Sequence, residues 1–290
     1  MSAITNPPVV IGADGSEQSL VAVRWGATYA AHHHARLHLV YAIGVPVEFV
    51  PGLSGPPLDY EGFRKHGEIL LAAAAEVAHE VTASRAPVEI TTAVIGAEPI
   101  PVLRDLSSTA RLLVVGSRGL GAFRRTLLGS VSTALARHAT CPVAIIPEND
   151  FRGWRGPVVV GVDGSPASGR AIAIAFEEAS ARDTGVVALH AWSEFNRYVS
   201  RPGMQTEAEA LLSENIAGYR EKYPDVPVKR VVVEDRPVRS ILHAAESAQL
   251  IVLGSHGRGG FAGMTLGSVS QAVLHTTECP LIIVREPEDS

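Results

Sequence analysis

The sequence has few cysteines and no long hydrophobic segment. Two cysteines in 290 residues do not make a disulfide framework. No apolar run approaches the roughly 18–20 residues needed to cross a bilayer. The first residues, MSAITNPPVVIGADGS, lack the basic and apolar regions of a secretory signal. We therefore expect a soluble protein of the cytoplasm, without a membrane partner.

An excess of positive charge is also absent. The formal net charge is −5, so the overall electrostatics do not favour binding to nucleic acid. The lysines are Lys65, Lys222 and Lys229, and none of them lies in a glycine-rich loop. This excludes the Walker pattern GxxxxGK[ST] as a phosphate-binding motif.

The chain does contain an internal repeat. The segment VVIGADGS at 9–16 recurs as VVVGVDGS at 158–165. Residues 111–148 recur as 249–286, with 17 identities in 38 aligned positions. A repeat of about 145 residues has the size of a whole domain. We predict a first domain at 1–148, a linker at 149–157 and a second domain at 158–290.

Within each half, short apolar runs alternate with amphipathic stretches. Strands that alternate with helices and read as nearly continuous apolar runs indicate a parallel sheet covered on both faces. Right-handed crossovers then give a doubly wound α/β domain. In the first half we expect strands at about 9–13, 36–43, 88–95, 111–116 and 142–147.

A glycine-rich loop follows the fourth predicted strand of each half. The dinucleotide pattern GxGxxG should follow the first strand instead, and its spacing does not fit. Each loop leads into a predicted helix, whose N-terminus offers unpaired N–H groups and a partial positive charge at the carboxyl end of a strand. We predict a phosphate site in each half. The spacing is G-x2-G-x9-G-S, at Gly116, Gly119 and Gly129-Ser130, and again at Gly254, Gly257 and Gly267-Ser268.

This spacing, together with DGS after each first strand and CP before each last strand, resembles the nucleotide-binding signature of the universal stress protein family, in its ATP-binding branch. The resemblance covers both halves essentially end to end. It implies two tandem flavodoxin-like domains, similar also to adenine-nucleotide α-hydrolases. Each would be a five-stranded parallel sheet in the order 3-2-1-4-5 with helices on both faces, binding ATP at the mouth of the first and fourth strands.

The resemblance also implies which residues bind. Asp14 and Asp163 would face the ribose and adenine, the backbone at Ala42 and Ala191 would touch adenine, and the glycine loops would wrap the ribose and phosphates. The implied site of the first half is Gly12, Asp14, Ala42, Gly116, Ser117, Arg118, Gly119, Leu120, Gly121, Ala122, Gly129, Ser130, Val131 and Ser132. That of the second half is Gly161, Asp163, Ala191, Gly254, Ser255, His256, Gly257, Arg258, Gly259, Gly260, Gly267, Ser268, Val269 and Ser270.

Structural roles are alternatives for several of these residues. The glycine loops could be tight turns, and DGS is typical of an Asx turn or a helix N-cap. Ser130 and Ser132 could equally cap their own helix.

ATP brings about four negative charges, so help from arginine or Mg²⁺ is expected. Arg118, Arg124 and Arg125 flank the first loop, whereas His256 and Arg258 flank the second. We therefore hypothesise that the first site holds the triphosphate more tightly.

No metal or redox site is predicted. Three consecutive histidines at 32–34 would point about 100° apart on a helix and could not converge on one ion. Cys141 and Cys279 precede a proline and an apolar strand at equivalent positions, as expected for packed thiols.

The sequence offers no convincing catalytic set. We therefore expect an ATP-binding regulator or sensor of the stress response, with at most slow ATP hydrolysis, an unidentified protein partner and a homodimeric assembly. Two alternatives stay open. One is an enzyme like the PP-loop ATP pyrophosphatases, whose SGGxDS contrasts with GADGS and GVDGS here. The other is a scaffold that does not depend on ATP.

Overall fold

The chain divides into two compact units, Met1–Glu148 and Asn149–Ser290. Among the described residues, no helix combines the length and apolar character that crossing a membrane requires. The computed structural model describes residues 6–44, 59–83, 85–119, 128–148, 155–192, 201–258 and 265–285.

The first unit alternates strands and helices along the chain. Its described elements are β1 (Val9–Gly12), α1 (Glu17–His32), β2 (Leu37–Ala42), α2 (Tyr60–Ala83), β3 (Ile90–Ile95), α3 (Pro99–Ser107), β4 (Leu112–Gly116), α4 (Ser130–His138) and β5 (Val143–Ile146). The strands are all parallel, in the order β3-β2-β1-β4-β5. Helix α1 packs against α2, and α3 packs against α4.

The second unit repeats this arrangement. Its described elements are β6 (Val158–Gly161), α5 (Pro166–Ala181), β7 (Val186–Trp192), α6 (Arg201–Lys222), β8 (Val228–Glu234), α7 (Pro237–Ala245), β9 (Leu250–Gly254), α8 (Ser268–Thr276) and β10 (Leu281–Val284). Its parallel strands run in the order β8-β7-β6-β9-β10. The predicted 3-2-1-4-5 order is therefore confirmed in both units.

The first strand of each unit lies in the middle of its sheet. In β1, Val9 and Ile11 are completely buried, since helices cover both faces. This burial explains why the strands read as continuous apolar runs. Because β1 pairs in parallel with β4, with Ile11 opposite Val114, the ends of the first and fourth strands lie together at one edge of the sheet.

Both cysteines are buried, as the sequence predicts. Cys141 is 6% exposed and Cys279 is 7% exposed. Burial in an apolar environment raises the pKa of the Cys141 thiol to about 12. A thiol held in this neutral form is a poor nucleophile.

We therefore expect Cys141 to be unreactive in the folded protein. An aromatic disulfide reagent at pH 8 should label Cys141 far more slowly than a free cysteine, because both access and thiolate formation are suppressed. The same reagent in denaturant should label Cys141 and Cys279 at once. Peptide mapping identifies the labelled thiol, and rapid labelling of native Cys141 would contradict its burial.

Candidate functional site

Each first strand ends in a tight turn organised by an aspartate. In the first unit, the backbone N–H and the hydroxyl of Ser16 both donate to Asp14 Oδ1, at 3.0 and 2.6 Å. Ser165 makes the same two bonds to Asp163 Oδ1, again at 3.0 and 2.6 Å. The Asx turn that DGS offers as an alternative is therefore present in both units, and it occupies one oxygen of each carboxylate.

The serine of each turn begins the next helix. Ser16 Oγ accepts from the backbone N–H of Ser19 at 3.1 Å and is the N-cap of α1. Ser165 caps α5 in the same way, accepting from the N–H of Ser168 at 3.2 Å. The aspartates are therefore not the caps, and their second carboxylate oxygens face the glycine-rich loops.

The middle glycine of each loop lies against this aspartate. A Cβ on Gly119 would overlap Asp14 Oδ2, and one on Gly257 would overlap Asp163 Oδ2. In the second unit the backbone N–H of Arg258 donates to the same Oδ2 at 3.1 Å. Glycine is needed here because the loop backbone approaches the turn after the first strand.

The last glycine of each loop is hydrogen-bonded to the serine that follows the fourth strand. The N–H of Gly129 donates to Ser117 O at 2.8 Å, and the N–H of Gly267 donates to Ser255 O at 2.7 Å. Gly129 and Gly267 are the N-caps of α4 and α8, so the helix N-terminus is brought beside the end of the fourth strand. The predicted contact between glycine loop, strand end and helix start is present in both units.

The serines of these helices have different surroundings. Ser130 and Ser268 begin α4 and α8 and are exposed. Ser132 is 2% exposed, and its hydroxyl donates to Ser117 O and Gly129 O, both at 3.0 Å. Ser270 Oγ donates to Gly254 O at 2.6 Å. The buried pair therefore holds the loop backbone through its carbonyl groups, whereas the N-caps of the two helices are Gly129 and Gly267.

In the second unit these elements enclose a cavity of about 330 Å³. Its lining includes eleven of the residues expected from the sequence: Gly161, Asp163, Ala191, Gly254, His256, Gly257, Arg258, Gly267, Ser268, Val269 and Ser270. Ser255 is 1% exposed and is not part of that lining. Six further lining residues were not expected from the sequence: Val162, Ser168, Leu189, Pro237, Ile241 and Leu253.

The equivalent positions of the first unit have the same placement in their own sheet. Gly12 ends β1, Ala42 ends β2 and Gly116 ends β4, while Val131 is the second residue of α4. Ser117 differs from Ser255 because its hydroxyl accepts from the Gln18 amide at 2.7 Å. The expected site residues Leu120, Gly121, Ala122, Gly259 and Gly260, with the flanking Arg124 and Arg125, lie outside the described residues.

Charged groups around the two loops are not the same. Arg118 Nη1 lies 3.4 Å from Glu148 Oε2 in an ion pair of the first unit. At the equivalent position of the second unit, His256 Nδ1 lies 3.0 Å from Ser255 Oγ. Arg258 extends its guanidinium over Gly164, whose φ of +77° is a backbone conformation suited to glycine.

The histidines at 32–34 end helix α1. His33 packs its ring on Tyr29, with centroids 4.2 Å apart, and its Nδ1 lies 3.2 Å from Arg111 Nη2. His33 is therefore engaged in packing, whereas His34 is exposed. Within the described parts of the chain, no three His, Cys, Asp or Glu side chains lie together as metal ligands would.

Comparison with known proteins supports the sequence resemblance. The model of the universal stress protein family matches residues 6–147 and again 155–285. A universal stress protein of Mycobacterium tuberculosis is 43% identical over 286 residues, which cover 96% of this chain and 97% of that protein.

A solved structure that spans both domains shows the same fold. A universal stress protein from Archaeoglobus fulgidus superposes with a TM-score of 0.71 at 21% identity, covering 97% of this chain and 99% of that one. A shorter universal stress protein, solved in complex with cAMP, is 29% identical and covers 49% of this chain and 98% of its own, with a TM-score of 0.36. The two matches of the family model and the full-length relative establish that this chain is a member of the universal stress protein family with two tandem domains.

Proposed function

We propose that the chain binds ATP in each unit and acts as a nucleotide-dependent regulator of the stress response. One observation carries this proposal. The cavity of the second unit joins the carboxyl ends of β6, β7 and β9 to the N-terminus of α8. Ligands of open α/β sheets bind at this edge, and phosphates favour helix N-termini.

The cavity has a size and a lining that suit a nucleoside. Its volume of about 330 Å³ lies at the lower end of ordinary small-molecule sites, so a polyphosphate would extend toward the opening. Apolar side chains form one part of the wall, as a purine ring would require: Val162, Leu189, Pro237, Ile241 and Leu253.

The other part of the wall suits the phosphates. Ser268 and Val269 begin α8, where the first backbone N–H groups have no acceptor within the helix. Arg258 and His256 line the same cavity. A helix N-terminus contributes at most about 2 kcal/mol to an anion, so we include Mg²⁺ with the bound ATP.

The first unit carries the same framework, and we propose that it binds ATP as well. Asp14 holds the turn, Gly119 approaches it and Ser130 begins the helix, as their counterparts do in the second unit. Arg118 is paired with Glu148, which competes with phosphate for its charge. This ion pair weakens the reason for expecting tighter binding at the first site.

The described lining of the cavity favours holding a nucleotide over converting it. Its titratable side chains are Asp163, His256 and Arg258. Asp163 accepts hydrogen bonds from the backbone N–H groups of Ser165 and Arg258, one on each carboxylate oxygen. We therefore assign it a structural role rather than that of a general base. We therefore propose binding with at most slow hydrolysis. The protein partner, the homodimer and the cytoplasmic location stay predictions from the sequence.

Ser130→Glu and Ser268→Glu should each remove one ATP site. The exposed first residue of α4 or α8 then places a carboxylate where the phosphates would lie, and like charges repel. Calorimetric titration with ATP and Mg²⁺ should show two sites in the wild-type chain, one in either variant and none in the double variant. Thermal stability should not fall, since acidic residues are favourable in the first turn of a helix.

Ser130→Gln and Ser268→Gln are the matched controls. They have nearly the size of glutamate without its charge, so they should retain most of the affinity. If glutamine and glutamate reduce ATP affinity equally, the size of the side chain rather than its charge is what weakens binding. A double glutamate variant that still binds two ATP molecules would refute the proposed phosphate position. Mass spectrometry after incubation with ATP then separates a binder, which leaves ATP intact, from a pyrophosphatase, which forms AMP.

A further inference from the structure

We propose that Arg258 makes the second unit discriminate between ATP and AMP, whereas the first unit discriminates less. The inference rests on the proposed ATP sites and concerns which nucleotide each of them prefers. It starts from the sequences of the two loops. Residues 116–120 read GSRGL, and the equivalent residues 254–258 read GSHGR. Each stretch contains one arginine, but Arg118 precedes the middle glycine and Arg258 follows it.

The arginine of the first unit is directed toward the fifth strand. Arg118 Nη1 lies 3.4 Å from Oε2 of Glu148, which follows β5. In the order β3-β2-β1-β4-β5, strand β5 lies on the side of β4 that is remote from β1. The crevice of such a sheet opens between its first and fourth strands, where the strand order reverses. This ion pair therefore draws the charge of Arg118 away from the crevice.

The arginine of the second unit is directed toward the crevice instead. Its backbone N–H donates to Asp163 Oδ2 at 3.1 Å, which fixes it beside the turn after β6, the first strand of that unit. Its guanidinium lies on this turn, since a Cβ on Gly164 would be 2.7 Å from Arg258 Nη2 and 3.2 Å from its Cζ. Arg258 also lines the cavity together with Ser268, the first residue of α8. The guanidinium thus lies at the edge of the proposed phosphate site.

The same turn of the first unit is covered by an apolar side chain. A Cβ on Gly15 would lie 2.7 Å from Cδ2 of Leu70 in α2, so leucine methyl groups occupy the place that the guanidinium has in the second unit. Both turn glycines have a positive φ, +82° at Gly15 and +77° at Gly164. At this point the two units therefore differ in charge rather than in backbone form.

The charge of Arg258 is accessible to a ligand. Its side chain is exposed, and no carboxylate in the described part of the chain forms an ion pair with it. A guanidinium offers phosphate oxygens two parallel N–H donors and keeps its charge at physiological pH. Since the cavity of about 330 Å³ suits a nucleoside, the terminal phosphates of ATP would extend to the opening, where Arg258 lies. AMP has no phosphate beyond the first and would gain little from this arginine.

The affinities of the two isolated sites for ATP and AMP test this inference. Ser130→Glu isolates the second site, and Ser268→Glu isolates the first. Each full-length variant is titrated by calorimetry with ATP and, separately, with AMP, in both cases with excess Mg²⁺. A charged hydrogen bond to a terminal phosphate supports a ratio of ATP affinity to AMP affinity that is about 10-fold higher at the second site than at the first.

Arg258→Gln, added to the Ser130→Glu chain, tests the residue directly. It removes the charge and keeps much of the length, so ATP affinity should fall about 10-fold while AMP affinity changes little. A substitution that only disturbed the loop would weaken both nucleotides alike, so AMP serves as an internal control. Arg258→Lys keeps the charge without the planar guanidinium and should lose less ATP affinity.

Two further glutamine variants complete the comparison. Arg220 is an exposed arginine of α6 outside the lining of this cavity, so Arg220→Gln in the Ser130→Glu chain controls for the change in net charge and should leave both affinities unchanged. Arg118→Gln in the Ser268→Glu chain should alter the ATP-to-AMP ratio far less than Arg258→Gln does, because Glu148 already holds that guanidinium.

The outcomes distinguish the two proposals. If neither isolated site binds ATP, the proposed function fails and this inference fails with it. If the second site binds ATP but its ATP-to-AMP ratio does not exceed that of the first, ATP binding stands and the role of Arg258 is overturned. The same holds if Arg258→Gln lowers both affinities equally or changes neither, or if Arg118→Gln has as large an effect on the ratio.

Discussion

Replacing Glu178 by alanine should lower the free energy of unfolding of the second unit by about 3–5 kcal/mol. Glu178 Oε2 lies 2.8 Å from Arg182 Nε within α5, and the two side chains are only 1% and 4% exposed. Arg182 Nη1 also donates to Gln249 Oε1, at 3.4 Å. Without this carboxylate, the buried guanidinium would lose a charged partner at 2.8 Å, which is far more costly than losing an exposed ion pair.

Calorimetry of the full-length chain during thermal unfolding measures this loss. A loss of this size in a unit of this length corresponds to a lowering of the melting temperature by about 10 °C. The transition of the second unit should therefore separate from that of the first. Glu68→Ala is the matched control, since Glu68 pairs with Arg64 at 3.0 Å and the same i,i+4 spacing, but in an exposed position. That control should leave the unfolding curve unchanged.

A second variant separates charge from packing. Replacing Glu178 and Arg182 together by methionine removes both charges and keeps much of the volume, so the double variant should be more stable than Glu178→Ala. If the double variant is instead the less stable of the two, the pair itself is a source of stability. If Glu178→Ala lowers the free energy of unfolding by less than about 1 kcal/mol, the Arg182 guanidinium is hydrated in the variant, contrary to its burial.

This buried pair has no counterpart in the first unit, although the backbone is repeated. The positions equivalent to Glu178, Arg182 and Gln249 carry Tyr29, His33 and Arg111, which form an aromatic contact and a histidine–arginine contact. The same helix end is thus stabilised by two different side-chain sets. Such exchanges explain why two units with the same strand order share fewer than half of their residues over the long repeat at 111–148 and 249–286.

The fold could be predicted because its signals are local or repeated. Buried parallel strands read as apolar runs, and the first predicted strand at 9–13 corresponds to Val9–Gly12. One of the amphipathic stretches between these strands forms the long helix Tyr60–Ala83. Strand order came from the family resemblance, since sequence periodicity does not identify neighbouring strands.

The site was less predictable wherever it depends on residues distant in the chain. Pro237 and Ile241 line the cavity from α7, which carries no phosphate motif and reads only as an amphipathic helix. Their spacing of four residues places them on one helix face, a signal that could have added them to the expected lining. The bond from Arg258 to Asp163 spans 95 residues, and no local pattern indicates it.

Asp163→Ala should lower ATP affinity at the second site by about 30-fold or more. Its Oδ1 accepts two bonds from Ser165, and its Oδ2 accepts the N–H of Arg258 at 3.1 Å. The carboxylate therefore ties the turn after β6 to the glycine loop after β9. Without it, part of the binding free energy would be spent on ordering the loop, and a factor of 30 corresponds to about 2 kcal/mol.

If Asp163 contacted the nucleotide directly, Asp163→Ala would lower ATP affinity for that reason too. A measurement without ligand is therefore required. If the carboxylate holds the glycine loop against the turn, the backbone amide of Arg258 should exchange its hydrogen faster in ligand-free Asp163→Ala than in the wild type. Asp163→Asn retains an oxygen toward Ser165 but can place its NH₂ group against the Arg258 N–H. It should therefore show the same fast exchange with a smaller loss of stability.

Asp14→Ala is the matched control, because it disturbs the first unit and should leave both exchange at Arg258 and ATP binding by the second site unchanged. Unaltered exchange together with lost affinity would instead assign Asp163 to the ligand itself.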